Sequence, residues 1–302
     1  MTFFLALLPV IAIVSIGHFL ARRNSPPAEG WRAIERLCYL LLFPALIIRV
    51  LATAPFEASP WPIAAALIGA QLIMAAVGHG ARFWHGIPRP TIGSIIQSNV
   101  RWNTFVALSL AGTLFGDEGI ALTAVAAAAM IPTANVISIL GFSQYGDREI
   151  QRHPFLELFR NPLVIACVIG GLINASGLAI PTVIDRVLET LAAAALALGL
   201  LAAGAGLDLG ALKRSGVPTL CWSLVRILGL PAIAIAIARG IGVDGVSLAV
   251  IAIAAATPTA TNGYILARQL GGDAPFMANL IATQTVLAAI TMPLVLWAFG
   301  LL

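Results

Sequence analysis

Hydrophobic runs of about 20 residues recur along the whole chain, parted by short stretches that hold most of its charged residues. A helix that crosses a bilayer takes roughly 20 apolar residues, so each run predicts one span. The first five lie at about Phe3 to Ala21, Ile34 to Ala52, Trp61 to Trp84, Thr91 to Gly116 and Gly119 to Phe142. The most polar stretch, Gln144 to Arg160, then divides the sequence into near-equal halves. Further runs follow at about Asn161 to Ala175, Val183 to Gly206, Val217 to Ala238, Gly245 to Leu270 and Pro275 to Gly300. Phe3 to Leu20 has no basic residue before it and Arg22-Arg23 after it, the pattern of a retained first helix rather than a cleaved leader. Pro44, Pro132 and Pro293 fall inside runs and predict kinks.

Two runs carry polar residues where lipid-facing sequence belongs. The fourth holds Asn99-Val-Arg-Trp-Asn-Thr-Phe105, and the ninth holds Ala256-Thr-Pro-Thr-Ala-Thr-Asn-Gly263. Both continue through apolar residues to a Gly-Asp pair, Gly116-Asp117 and Gly272-Asp273. Counted back equally from the two aspartates, Trp102 falls opposite Pro258, Asn103 opposite Thr259, and Val106 opposite Asn262. A second echo opens the second and seventh runs, Ile34-Glu-Arg-Leu37 and Ile184-Asp-Arg-Val187. These features read as two broken transmembrane helices, one per half of an internal repeat. About five spans per half, an odd number, would give the halves opposite orientations, an arrangement that builds the substrate site of many secondary transporters.

Composition narrows the class. Of 302 residues, 60% are hydrophobic and only 10% charged, with a mean hydropathy of +0.97. So few polar side chains cannot clothe a soluble protein of this size, and the main solvent is lipid. Arg22, Arg23, Arg32, Arg36, Arg82, Arg89, Arg148, Arg152, Arg160, Lys213, Arg214 and Arg268 fall on one predicted side, against Arg49, Arg186 and Arg239 on the other. The positive-inside rule then puts the central polar loop in the cytoplasm and both termini outside. The same scatter accounts for a pI near 9.4 without nucleic acid as a partner, since no aromatic-rich basic face is formed. Cys38, Cys167 and Cys221 lie in apolar runs without metal or redox spacing and read as buried filler.

Arg101 is the sharpest chemical signal. A charge at mid-membrane costs about 2.5 kcal/mol or more even on the lenient insertion scale, so something must offset it. Its guanidinium is a fork of donors matched to a carboxylate, and half-helix N-termini would add favourable dipoles. An anion-binding arginine stands against an arginine that caps the carbonyls of a broken helix or snorkels to the surface. Asn103, Thr104, Thr259, Thr261 and Asn262 supply neutral donors and acceptors that line a cavity or satisfy freed backbone groups. Pro258, lacking an N–H, is a direct cause of a break. Asn135 and Gln284 are weaker candidates of the same kind. No paired mid-membrane carboxylates suggest a proton relay; sodium held by carbonyls and Thr/Asn oxygens stays open as a coupling ion, as does a proton. There is no H-E-x-x-H, P-loop or G-x-S-x-G motif, so nothing predicts an enzyme, an ATP-driven pump or a resident cofactor.

Gln97-Ser-Asn-Val-Arg101-Trp-Asn103-Thr104, running to Leu114-Phe-Gly116, resembles the fourth helix of the auxin efflux carrier (AEC) family, whose bacterial members often show Arg-x-Asn there. Ala256-Thr-Pro258, Ala267-Arg-Gln-Leu-Gly-Gly-Asp273 and Thr285 to Pro293 resemble its ninth and tenth helices. Trp102 departs from the plant members, which carry proline there. The resemblance implies an all-α polytopic membrane protein of about ten transmembrane helices, two inverted five-helix repeats with broken crossover helices 4 and 9. It implies a scaffold at 1–56 and 161–212 that dimerises, a transport domain at 60–143 and 215–302, and a cytoplasmic loop at 144–160. Substrates would be small organic anions such as auxin, malate and malonate, held by Arg101, Asn103, Thr104, Pro258, Thr259, Thr261 and Asn262. The resemblance also implies an elevator-type movement of the transport domain against the scaffold, and the short central loop resembles bacterial members, which implies the bacterial inner membrane. A sodium-coupled bile-acid-type symporter and a non-transporting sensor or assembly protein are the alternatives.

Overall fold

The computed structural model describes residues 2–53, 61–147, 162–206, 210, 213, 215–260 and 263–301. Among the described residues every regular element is a helix and none is a strand. In chain order these are α1 (Thr2–Arg22), α2 (Ala28–Leu37), α3 (Phe43–Thr53), α4 (Trp61–His79), α5 (Arg89–Val100) and α6 (Thr104–Tyr145). They continue with α7 (Pro162–Ser176), α8 (Thr182–Ala205), α9 (Val217–Gly240), α10 (Gly245–Ala256), α11 (Gly263–Gln269) and α12 (Ala274–Ala298). Among the described residues six helical stretches are long and apolar enough to cross a membrane: Ala28–Thr53, Trp61–Phe83, Arg89–Tyr145, Thr182–Ala205, Val217–Gly240 and Ala274–Ala298. Ile11–Arg22, Pro162–Ser176 and Gly245–Ala256 are apolar but shorter. The central polar loop lies outside the described residues from Arg148 to Asn161.

Local chemistry explains the interruptions. α2 runs into α3 through a π turn at Cys38–Leu42, where the Phe43 N–H reaches back to the Cys38 carbonyl. Pro44 follows at once, and its ring crowds the carbonyl one turn earlier, so the helix widens there as well as kinking. α6 is broken at Gly116, whose φ of 57° and ψ of −144° suit a residue without a Cβ. α11 ends in a Schellman motif. Gly271 adopts a φ of 75°, and the Gly272 N–H bonds the Ala267 carbonyl at 2.8 Å.

Packing divides the chain into two compact units. The first comprises Met1–Pro60, Phe105–Ala128 and Phe159–Leu207; the second comprises Trp61–Thr104, Ala129–Leu158 and Asp208–Leu302. In the first, α1 packs on α8, and α3 on α7 and α8. A Cβ on Gly204 would run into the Val14 backbone, and one on Gly17 into that of Leu201, so glycine lets α1 and α8 approach backbone to backbone. Phe43 stacks on Phe105 with ring centroids 4.5 Å apart. Arg49 pairs with Asp185 at 2.8 Å and Glu189 at 3.3 Å. The second unit buries Ile95, Ile96, Phe142, Trp222, Met277 and Leu280 in one cluster. That core holds α5, while α10 packs on α9, α12 and α4, and the candidate site is at the ends of α5 and α10.

Candidate functional site

Two buried helices of the second unit stop where their apolar runs continue. α5 ends at Val100, and Arg101 leaves helical geometry at φ −79°, ψ 151°. α10 ends at Ala256, and Thr257 leaves in the same way at φ −60°, ψ 149°. Both helices are 12 residues long. Trp102 and Pro258 therefore stand at the same place relative to their helices. The helical path resumes at Thr104 and at Gly263.

The two breaks have different causes. Proline excludes the preceding residue from the α region, so Pro258 itself pushes Thr257 into extended geometry. No proline follows Arg101, and its conformation is set by partners from elsewhere in the unit. The Arg101 carbonyl accepts from Arg226 Nε at 3.2 Å and Nη2 at 2.8 Å. The Asn103 N–H donates to Thr257 Oγ1 at 3.3 Å. Gln71 Nε2 donates to the Val100 carbonyl at 2.8 Å.

A helix C-terminus leaves carbonyls without partners inside the helix, and a buried one needs them from elsewhere. Here the supply comes from side chains. Thr259 Oγ1 donates to the Ser98 carbonyl at 2.9 Å, Thr257 Oγ1 to Ala254 at 2.9 Å, and Arg226 Nη1 to Ala255 at 2.7 Å. α12 completes the crossing through Gln284. Its Oε1 accepts the Thr259 N–H at 3.0 Å, and its Nε2 donates to Ser98 Oγ at 2.7 Å. Gln97 Nε2 donates to the Gly263 carbonyl at 3.3 Å.

Arg101 is half-buried, and its Nη2 donates to Asn135 Oδ1 at 2.7 Å. Asn103 and Thr104 are 7% and 8% exposed, and Pro258 and Thr259 are buried. Arg101, Asn103 and Thr104 thus follow one helix end, and Pro258 and Thr259 the other, with hydrogen bonds joining the two. Thr261 and Asn262 lie outside the described residues. Thr259 spends its hydroxyl and its N–H on Ser98 and Gln284, which makes it a support of the crossing. Sequence reasoning missed Gln71, Ser98 and above all Arg226, which is fully buried. The signal for Arg226 was the one that marked Arg101, an arginine inside an apolar run.

A family profile described as membrane transport protein matches residues 146–296, half of the chain. This chain belongs to the membrane transport protein family. It is the AEC family, the one that the motif order resembles. No curated protein matches the chain. Members of this family are transporters rather than enzymes. Family and apolar helices together make the chain a multi-pass membrane protein. Many secondary transporters build their substrate sites from such broken helices. Among the described residues no three His, Cys, Asp or Glu side chains group as a metal site.

Proposed function

We propose that this transporter is a secondary carrier of small organic carboxylate anions, with Arg101 as the group that meets the carboxylate. The observation that carries the reading is the placement of Arg101 at the break after α5, half-buried and hydrogen-bonded to the neutral amide of Asn135. A guanidinium there presents donors in the fork geometry that a carboxylate fills. Asn103 and Thr104, next in the chain and at the start of α6, add amide and hydroxyl groups for the remaining substrate oxygens. Pro258 and Thr259 form the opposite wall, with Thr259 in the supporting role described above, and Thr261 and Asn262, next in the chain, are assigned to the substrate on their side-chain chemistry alone.

The matching form of the two breaks supports two inverted repeats of about five helices each, with α5–α6 and α10–α11 as the crossovers. In an elevator reading the second unit is the moving part and the first is the anchored scaffold that dimerises. Residues 105–128 then belong with the scaffold rather than with the transport domain expected from sequence. The arginine asymmetry of the loops supports both termini outside, and the short central loop supports residence in a bacterial inner membrane. For a driving ion, sodium needs oxygen ligands and a proton needs an acid or imidazole. The described carboxylates of the second unit, Asp147, Asp244 and Asp273, all stand at helix ends.

The test is a thermal-shift screen of purified protein against small mono- and dicarboxylates. A ligand of the folded state raises the apparent melting temperature by mass action. The expected result is a shift with one carboxylate class that is lost in Arg101→Ala. A charge-assisted hydrogen bond contributes about 1.5–3 kcal/mol, which corresponds to a loss of affinity of roughly 10- to 150-fold. A shift that survives unchanged in the variant contradicts the assignment of Arg101, and no shift with any carboxylate contradicts the substrate class.

A further inference from the structure

Arg226 is a full positive charge with no exposed surface, and among the described residues its hydrogen bonds run only to backbone carbonyls, those of Arg101 and Ala255. Among the described residues its guanidinium forms no ion pair. Its counter-charge has to come from the fold. The C-terminus of a helix carries about half a negative elementary charge, so α5 and α10, which both end at this group, together supply roughly one. Carbonyl oxygens at the C-terminal ends of broken helices are also the kind of ligand with which a carrier takes up sodium. One chemical feature therefore has two candidate occupants, and here a side chain holds it.

We propose that Arg226 is a built-in counter-cation. Its guanidinium fills the carbonyl cradle at the two helix ends, so that the crossing is assembled without sodium and anion binding does not depend on it. The second clause rests on the carboxylate-carrier reading; the first does not. A sodium ion entering beside Arg226 would add a second positive charge where the helix ends balance roughly one, at short range in a low-dielectric interior. The same side chain fixes the carbonyl of Arg101, so Arg226 also acts as a positioning residue for the arginine that meets the substrate.

The experiment follows thermal unfolding of the purified full chain in sodium chloride and in N-methylglucamine chloride at equal ionic strength, for wild type, Arg226→Ala and Arg226→Lys. Wild type is expected to melt at the same temperature in both salts. Arg226→Ala is expected to lose several degrees and to regain them saturably with sodium or with methylguanidinium well below denaturing concentration, while wild type ignores methylguanidinium. Arg226→Lys keeps a cation in place and is expected to stay insensitive to sodium. A saturable sodium shift in wild type or in Arg226→Lys overturns the inference, and so does an Arg226→Ala protein that responds to neither cation. If Arg226→Ala does not fold, the wild-type and lysine arms decide alone.

These readouts need no carboxylate, so they fail separately from the anion reading. In wild type a carboxylate-induced shift is expected to be equal in the two salts. A carboxylate shift seen only in sodium overturns the inference, whereas its absence in both salts counts against the anion reading alone.

Discussion

Gln284 shows how closely the polar residues of the crossing depend on one another. It is fully buried, and its amide accepts from the Thr259 N–H and donates to Ser98 Oγ. Leucine at this position would leave a buried backbone N–H unmet, a loss of about 1–3 kcal/mol. Gln284→Leu is therefore expected to lower the melting temperature measurably even without ligand. An unchanged melting curve would show that another group satisfies Thr259. At this scale the sequence was partly legible. Arg101 and Pro258 stood out because a charge and a missing N–H are anomalous in an apolar run. Arg226 is equally anomalous, but its role depends on the carbonyl of a residue 125 positions away, and no local pattern announces that. Ser98 and Gln97 are ordinary polar residues until the second helix end is placed beside them.

Helix ends are joined to one another through side chains. Asp273 caps α12, with Oδ1 accepting the Phe276 N–H at 3.0 Å. Its Oδ2 accepts from Thr91 at 2.7 Å, and its carbonyl accepts from Ser94 at 3.1 Å, so one residue ties the start of α12 to the start of α5. Loss of an N-cap costs about 0.5–2 kcal/mol. Asp273→Ala is expected to melt several degrees lower than wild type, and equal melting would contradict the capping role. In the first unit a Cβ on Gly199 would lie 2.6 Å from the Phe43 ring. Gly199→Val is expected to destabilise that packing by about 1–3 kcal/mol, read as earlier loss of folded protein on heating in detergent. Helix positions were readable from the apolar runs because length and hydropathy alone set them. The break at Pro258 was readable as well. The break at Arg101 was less so, since no proline causes it and its geometry is held by Arg226, Thr257 and Gln71. The π turn before Pro44 likewise left no mark beyond the proline itself.

For the whole molecule, the match over residues 146–296 establishes the family, and the apolar helices establish a multi-pass membrane protein. The grouping of residues 105–128 with the first unit was not legible. It depends on which helices pack together, and contiguous hydrophobic runs carry no such information. What the family leaves open is the cargo, which on the present reading is a carboxylate held by Arg101. Counterflow tests it most directly. The protein is reconstituted into vesicles loaded with an excess of the unlabelled carboxylate that gives the largest thermal shift, and the same labelled carboxylate is added outside. Transient accumulation of label is expected with wild type and none with Arg101→Ala protein that melts normally. Equal accumulation by both proteins, or none by wild type with a carboxylate that it binds, would contradict that reading.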